Sequence, residues 1–240
     1  MHLFIRCFYF YLTHRNSLDF YNIETDEKGD FAMNLMTKEQ IKELVLQVEG
    51  FEIQEETNKG IEVYDNEEDK FFRYRYLEEL NIEEVFQFNS LQFNKDAFFR
   101  IFKECVDLNM LMIVDKVVFL NNEEEYDQLI EEYPDQSMDM DRAVGINFYM
   151  DNVVVVNVKL IRSLAEELAL KDELSDVKEE LAMGIWQTLV HELRHNITAN
   201  PIILEDMISI EEGEEDKVEE YCRNVFEESI EKHPEYCCFK

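Results

Sequence analysis

Residues 143–158, AVGINFYMDNVVVVNV, contain two apolar runs separated by a short polar turn. The runs Ala143–Tyr149 and Val153–Val158 are joined at Met150-Asp151-Asn152, which is typical of a β-hairpin. The second run is β-branched at nearly every position, which favours a buried or half-buried strand. The sequence therefore predicts two paired strands, the second of them in the core.

Helical periodicity follows this hairpin. The pattern predicts helices over about Lys159–Leu170 and Asp176–Ile197, the second beginning at a Ser175/Asp176 cap. Asn200-Pro201 interrupts the helical pattern, and a final acidic helix is expected over about Glu214–Lys232. Strands followed by helices predict an α+β fold.

Local patterns elsewhere predict further elements. Thr37 and Gln40 form a capping-box pattern that opens an amphipathic helix. Asn58-Lys59-Gly60 separates two alternating segments, which indicates a hairpin. The remaining expectations are mostly helix over residues 71–102, a strand at Leu111–Leu120 and a helix near Glu123–Glu132.

The chain divides into three predicted regions. Residues 1–36 form either a leader or a first strand, and residues 37–107 form an α+β region of no assigned role. Residues 108–240 form the domain that contains the strands and helices described first. The apolar stretch Leu3–Leu12 contains Arg6 and is too short to cross a bilayer, so no membrane association is expected.

The amino-acid composition is that of a folded acidic protein. Apolar residues make up 46% of the chain and aromatic residues 12%, which argues against a disordered acidic tail. A net charge of -32 repels phosphate backbones and anionic lipid, so direct binding to nucleic acid or membrane surfaces is not expected. Five cysteines without a CxxC pair favour free thiols in a reducing, cytoplasmic compartment.

The segment Trp186–Asn196, WQTLVHELRHN, contains an HExxH motif in a helical pattern. His191 and His195 are four residues apart, so their imidazoles project from one helix face and can bind a single ion. Zinc prefers imidazole and carboxylate ligands in a tetrahedral site, and a catalytic site keeps one position for water. Glu192 is then placed to take a proton from that water as the water attacks a carbonyl.

Zinc sites with an HExxH motif fall into classes that differ in the position of the third ligand. A histidine six residues beyond His195 would give the metzincin arrangement. That arrangement is excluded here, because position 201 is Pro201 and position 198 is Thr198.

An acidic segment downstream offers a carboxylate ligand instead. A helix beyond a loop would present Glu215 to the ion, while Glu219, four residues later, would accept the remaining N–H of a ligating histidine. We assign Glu215 as the third ligand and Glu219 as the hydrogen-bond acceptor for a ligating histidine. Glu212, Glu214 and Glu219 remain alternative ligands, because the segment is rich in glutamate.

Over about residues 150–232, the chain resembles the gluzincin branch of the zincin metallopeptidases, in which HExxH is followed by a downstream ExxxD or ExxAD segment. Here Val218 and Glu219 replace the usual small residue and aspartate. The resemblance implies a minimal zincin-like domain with a small antiparallel or mixed sheet, an HExxH helix and a C-terminal ligand helix. It also implies one Zn²⁺ per chain, Glu192 as general base, and a peptide or protein substrate.

The resemblance also suggests where substrate would bind. It implies a substrate-pairing edge strand, for which the candidate is the run Val153, Val154, Val155 and Val156; the competing interpretation is a core strand.

Three further residues near the motif have two interpretations each. Arg194 occupies a motif position that is usually uncharged, where it is either an exposed helix residue or a contact for an acidic group. Tyr221 and His233 are candidates to stabilise the transition state, against packing or surface roles.

Two other classes of function compete with peptide hydrolysis. The first is a zincin-like sensor or binding module that keeps the metal but is catalytically weak. The second is an acidic mimic or inhibitor that binds a basic protein partner, in which case the two histidines are four residues apart by coincidence.

Overall fold

Two β-sheets and the helices packed on them form the part of the chain described by this computed structural model. The described residues are 35–67, 69–133, 143–148, 151–171, 176–198, 221–225, 227 and 231–233. They all fall within one compact unit, Asn34–Lys240. The predicted leader or first strand, residues 1–36, lies outside the described residues except for its last two.

Six α-helices and seven β-strands lie entirely within the described residues. The helices are α1 Lys38–Gln47, α2 Ile82–Val85, α3 Lys95–Cys105, α4 Glu123–Glu132, α5 Val158–Lys171 and α6 Val177–Thr198. The strands are β1 Phe51–Glu56, β2 Gly60–Asp65, β3 Lys70–Arg75, β4 Phe86–Gln87, β5 Lys116–Leu120, β6 Gly145–Phe148 and β7 Val153–Asn157. Short 3-10 helices cover Leu77–Glu79 and Leu108–Leu111. The predicted α+β fold class is confirmed.

The first sheet is an antiparallel meander in the order β1-β2-β3, and α1 contacts it. The predicted capping box is confirmed, since the Thr37 side chain accepts from the Gln40 N–H and the Gln40 side chain accepts from the Thr37 N–H. The predicted hairpin around Asn58-Lys59-Gly60 is confirmed as β1–β2.

The prediction of mostly helix over residues 71–102 is wrong, because the segment begins with β3, contains β4 and is α-helical only at α2 and from Lys95 onward. Burial alternates along β3, with Phe72 and Tyr74 inside and Phe71 outside. This two-residue period lets β3 extend the first sheet from β2. The predicted strand Leu111–Leu120 is also shorter, because the chain before Lys116 forms the 3-10 helix and a turn.

The second sheet has the order β4-β5-β7-β6. Strands β4, β5 and β7 are parallel, and β6 pairs antiparallel with β7, so the predicted hairpin at residues 143–158 is confirmed. β7 is hydrogen-bonded along both sides, to β5 and to β6. The prediction that Val153, Val154, Val155 and Val156 form a substrate edge is therefore wrong. They form an interior, fully buried strand, and β6 is the terminal strand among those described.

Helices cover both faces of the second sheet. On one face, Leu129 of α4 packs on an apolar cluster that includes Val118, Ile146 and Val155. On the other face, Phe98 of α3 stacks on Trp186 of α6 with ring centroids 4.9 Å apart. None of the described helices is long and apolar enough to cross a membrane.

Candidate metal centre

The HExxH motif lies on helix α6, most of which is buried in the interior of the protein. Before its first turn, the Asp176 side chain accepts a hydrogen bond from the Lys178 N–H at 2.7 Å, which satisfies one amide that the helix leaves unpaired. Its most deeply buried side chains recur every three or four residues: Ala182, Ile185, Leu189 and Leu193. Other positions of the helix are buried as well, so the motif lies within the protein and not on a solvent-facing stripe.

The two motif histidines converge on one point. The Nε2 atoms of His191 and His195 are 2.9 Å apart, and their ring planes meet at 74°. His191 is only 5% exposed and His195 is half-buried. The structure thus brings together the two imidazoles that the sequence predicted to share an ion.

The geometry of this pair is close to what zinc requires. With Zn–N distances of about 2.0–2.1 Å and tetrahedral angles, two ligating nitrogens lie about 3.3 Å apart. The observed 2.9 Å is about 0.4 Å shorter, a difference that a small rotation of either ring supplies. The same separation also allows the Nε2–H of one ring to donate to the Nε2 of the other.

The environment of His191 favours its neutral form. Burial, together with the nearby charge of His195, lowers the pKa of His191 from 6.5 to about 3. A neutral imidazole is the form that binds a metal ion, so this environment suits a ligand.

Glu192 lies against the terminal strand β6. The Glu192 side chain is 4% exposed. A Cβ added at Gly145 would lie 2.7 Å from Glu192 Oε1 and 2.8 Å from Cγ, and it would also overlap Thr188 Cγ2. Only glycine allows the strand to approach α6 this closely.

A second contact fixes β6 to the same helix turn. The Asn147 Nδ2 donates to the Glu192 carbonyl oxygen at 3.2 Å and to Asn196 Oδ1 at 2.7 Å. Gly145 and Asn147 are two residues apart and therefore face the same side of the strand. Together they position the part of α6 that carries Glu192.

Arg194 is buried within the motif, not exposed. It is 9% exposed, and its guanidinium carbon lies 4.8 Å from the centroid of the Tyr221 ring. The charge of Arg194 opposes the rise that burial causes in the pKa of Asp107, and a direct contact with an acidic group stays a prediction. The Tyr221 hydroxyl oxygen accepts from the Asp107 N–H at 3.3 Å, and burial raises the pKa of Tyr221. These contacts give Tyr221 a packing role; its proposed part in transition-state stabilisation has no support from them.

His233 contacts a different helix. Its Nε2 lies 3.2 Å from Glu104 Oε2, near the end of α3. This contact places His233 against α3, which favours a structural role for His233.

The predicted third ligand falls outside the described residues. Glu215 and Glu219 are not among them, nor are the alternatives Glu212 and Glu214. Within the described residues, no group of three or more His, Cys, Asp or Glu side chains is arranged to hold a metal. Of the predicted C-terminal helix, residues 221–225, 227 and 231–232 are described and are helical. The third ligand remains a prediction.

Three residues of this region were not predicted from the sequence: Gly145, Asn147 and Asp107. Gly145 could have been predicted, because a glycine inside an apolar strand pattern often marks a close backbone approach. Asn147 and Asp107 could not, because their partners are distant in the sequence.

Comparison of this chain with protein-family models, with curated proteins and with solved structures finds no match in any of the three. The residues of the candidate centre are therefore what indicates a function for this chain.

Proposed function

We propose that this chain is a zinc-dependent metallopeptidase of the cytoplasm. The observation that carries the proposal is the convergence of His191 Nε2 and His195 Nε2, 2.9 Å apart on a buried helix, with Glu192 adjacent. Cys105 and Cys222 are buried and form no disulfide within the described residues, which agrees with a reducing compartment.

The residues of the centre divide into ligands and a base. His191 and His195 would hold the ion through Nε2, and Glu215 would supply the third ligand. Zinc, when bound, supplies the Lewis-acid chemistry that lowers the pKa of water to near neutrality. Glu192 would accept a proton from the water that attacks the peptide carbonyl and would then donate it to the leaving amine.

The terminal strand β6 is the proposed substrate edge, in place of β7. Among the described strands it pairs on one side, with β7, and it contacts Glu192 through Gly145. An extended peptide that added to its other side would pass alongside Glu192. A net charge of -32 favours basic or neutral peptides over acidic ones.

The substitution Glu192→Gln tests the catalytic step. The amide cannot accept the proton, so we expect cleavage of unfolded protein to fall at least about 100-fold while zinc content is unchanged. Equal cleavage by both proteins would exclude Glu192 as the base. Glu179→Gln is the matched control, because Glu179 is an exposed glutamate on the same helix and its loss leaves the carboxylate of Glu192 in place.

A metal-binding module without catalysis is the second candidate. The low exposure of His191 (5%) and Glu192 (4%) favours it, because a catalytic centre must admit substrate. A metal-binding module would also hold one zinc per chain, but the wild type would then cleave unfolded protein no faster than Glu192→Gln does.

A further inference from the structure

The first sheet has a covered face and an open face. Val63 and Phe72 lie opposite each other on β2 and β3, so their side chains share one face, and both are buried. Ile61, two residues before Val63, is buried on the same face. Helix α1 lies on this face, because its Lys42 pairs at 2.7 Å with Glu56, which lies opposite Ile61.

The other face of the sheet is formed by two cross-strand rows of side chains, each row with one residue from every strand. These rows are Glu52, Tyr64 and Phe71, and then Glu55, Glu62 and Arg73. None of these six side chains is buried. They carry three carboxylates and one guanidinium, and we call this surface the acidic face.

An aromatic pair lies in the first row of the acidic face. The ring centroids of Tyr64 and Phe71 are 4.9 Å apart, and Phe71 is 58% exposed. An antiparallel sheet can leave one face to water, but the side chains of that face are then polar. The Tyr64 hydroxyl donates to Asp69. This bond raises the pKa of Tyr64, as do partial burial and the charges of Asp69 and Glu52, so the aromatic pair lies in a negative environment.

The carboxylates of the acidic face differ in their ion pairing. Glu62 pairs with Arg73 at 3.2 Å. Glu52 and Glu55 make no ion pair within the part of the chain that the structure describes. Both are exposed and lie on β1, the terminal strand of this sheet among those described. They therefore present two uncompensated negative charges beside the aromatic pair.

We propose that the acidic face binds a basic segment of another protein, whose arginine or lysine side chains pair with Glu52 and Glu55 and lie against the exposed ring of Phe71. A cation is attracted by an aromatic ring, and more strongly so as water is excluded. A carboxylate strengthens its hydrogen bonds when the donor is also charged. This inference does not depend on the zinc site.

Charge disfavours two other occupants of the acidic face. A second copy of this chain would bring like charges together, since each copy carries a net charge of -32. Nucleic acid is repelled by the same charge. A basic protein segment is the partner that complements both the carboxylates and the exposed ring.

A fluorescent peptide of alternating arginine and threonine is the probe, and its anisotropy on titration with the full chain at physiological ionic strength measures binding. The double variant Glu52→Gln/Glu55→Gln should weaken binding about 3–10-fold. The matched control is Glu39→Gln/Glu43→Gln, which removes two exposed glutamates from α1 and changes the net charge equally. The control should weaken binding less than about twofold.

Phe71→Ala tests the contribution of the exposed ring without a change in charge. We expect it to weaken binding of the arginine peptide about 2–5-fold. Leu46→Ala is its matched control, because Leu46 is an exposed apolar residue on α1. The control should bind as the wild type does.

Three outcomes would overturn the proposal. The first is an arginine peptide that binds the wild type no more tightly than the same peptide with glutamate in place of arginine. The second is an equal loss in the Glu52/Glu55 and Glu39/Glu43 double variants, because binding would then follow net charge alone. The third comes from sedimentation: a dimer that Phe71→Ala dissociates would show that a second copy of the chain covers the acidic face.

Discussion

Gly145 and Glu192 are in contact across the boundary between β6 and α6, with no room for a side chain at position 145. A Cβ there would lie 2.7 Å from Glu192 Oε1. The proposed base is therefore positioned partly by the absence of a side chain on the neighbouring strand.

Gly145→Ala is expected to lower turnover without removing metal. The added methyl displaces the Glu192 carboxylate, and a misplacement of about 1 Å can cost about 100-fold in rate. The measurement is kcat per folded molecule together with zinc content. Gly60→Ala is the control, because its Cβ would collide with the Tyr74 carbonyl oxygen in the other sheet. It should lose stability but keep kcat, and equal kcat in both variants would argue against the Gly145 contact.

Asn147→Ala should destabilise the fold by about 1–3 kcal/mol, because it leaves two buried acceptors without the Nδ2 donor. These acceptors are the Glu192 carbonyl oxygen and Asn196 Oδ1. Urea unfolding of Asn147→Ala, Asn196→Ala and the double variant measures the coupling. Additive effects within about 0.3–0.5 kcal/mol would contradict a direct bond between the two asparagines.

The stability of the chelator-treated protein should depend on His191 as the pH falls. Since burial lowers the pKa of His191 from 6.5 to about 3, the unfolded chain takes up a proton before the folded chain does. The buried neutral imidazole therefore leaves the free energy of unfolding unchanged above pH 6.5. That free energy falls progressively as the pH drops from 6.5 toward about 3. Urea unfolding at a series of pH values, with His191→Asn as the control, checks this. Identical slopes in the two proteins would contradict the shift.

Phe98→Ala should be strongly destabilising, by about 3–5 kcal/mol, because Phe98 is fully buried. Trp186, which Phe98 stacks on, is the only tryptophan in the chain, so its fluorescence reports the change at α6 directly. Phe71→Ala is the matched control: Phe71 is 58% exposed and should cost far less. Similar losses for both would contradict the assigned core.

Local patterns predicted much of the fold. The capping box at Thr37, the turn at Asn58-Lys59-Gly60 and the bounds of α4 each depend on residues adjacent in sequence. β3 was missed because a short segment rich in aromatic and charged residues suits helix or strand, and the neighbouring β2 decides between them.

The sequence predicted only those parts of the candidate centre whose residues lie within one helix turn of each other. His191 and His195 converge because four residues make about one turn. The position of β7 within the sheet depends on pairing with β5, and the burial of Arg194 depends on Tyr221. Neither relationship has a local signal, because the partners are distant in the chain.

Zinc content of the purified chain distinguishes a zinc site at His191 and His195 from a pair of histidines that bind no metal. We expect one zinc per chain in the wild type and a clear loss in His195→Ala. His233→Ala should show no loss, because His233 is buried against Glu104. A wild type without zinc, or a His195→Ala variant that keeps all of it, would exclude the proposed site.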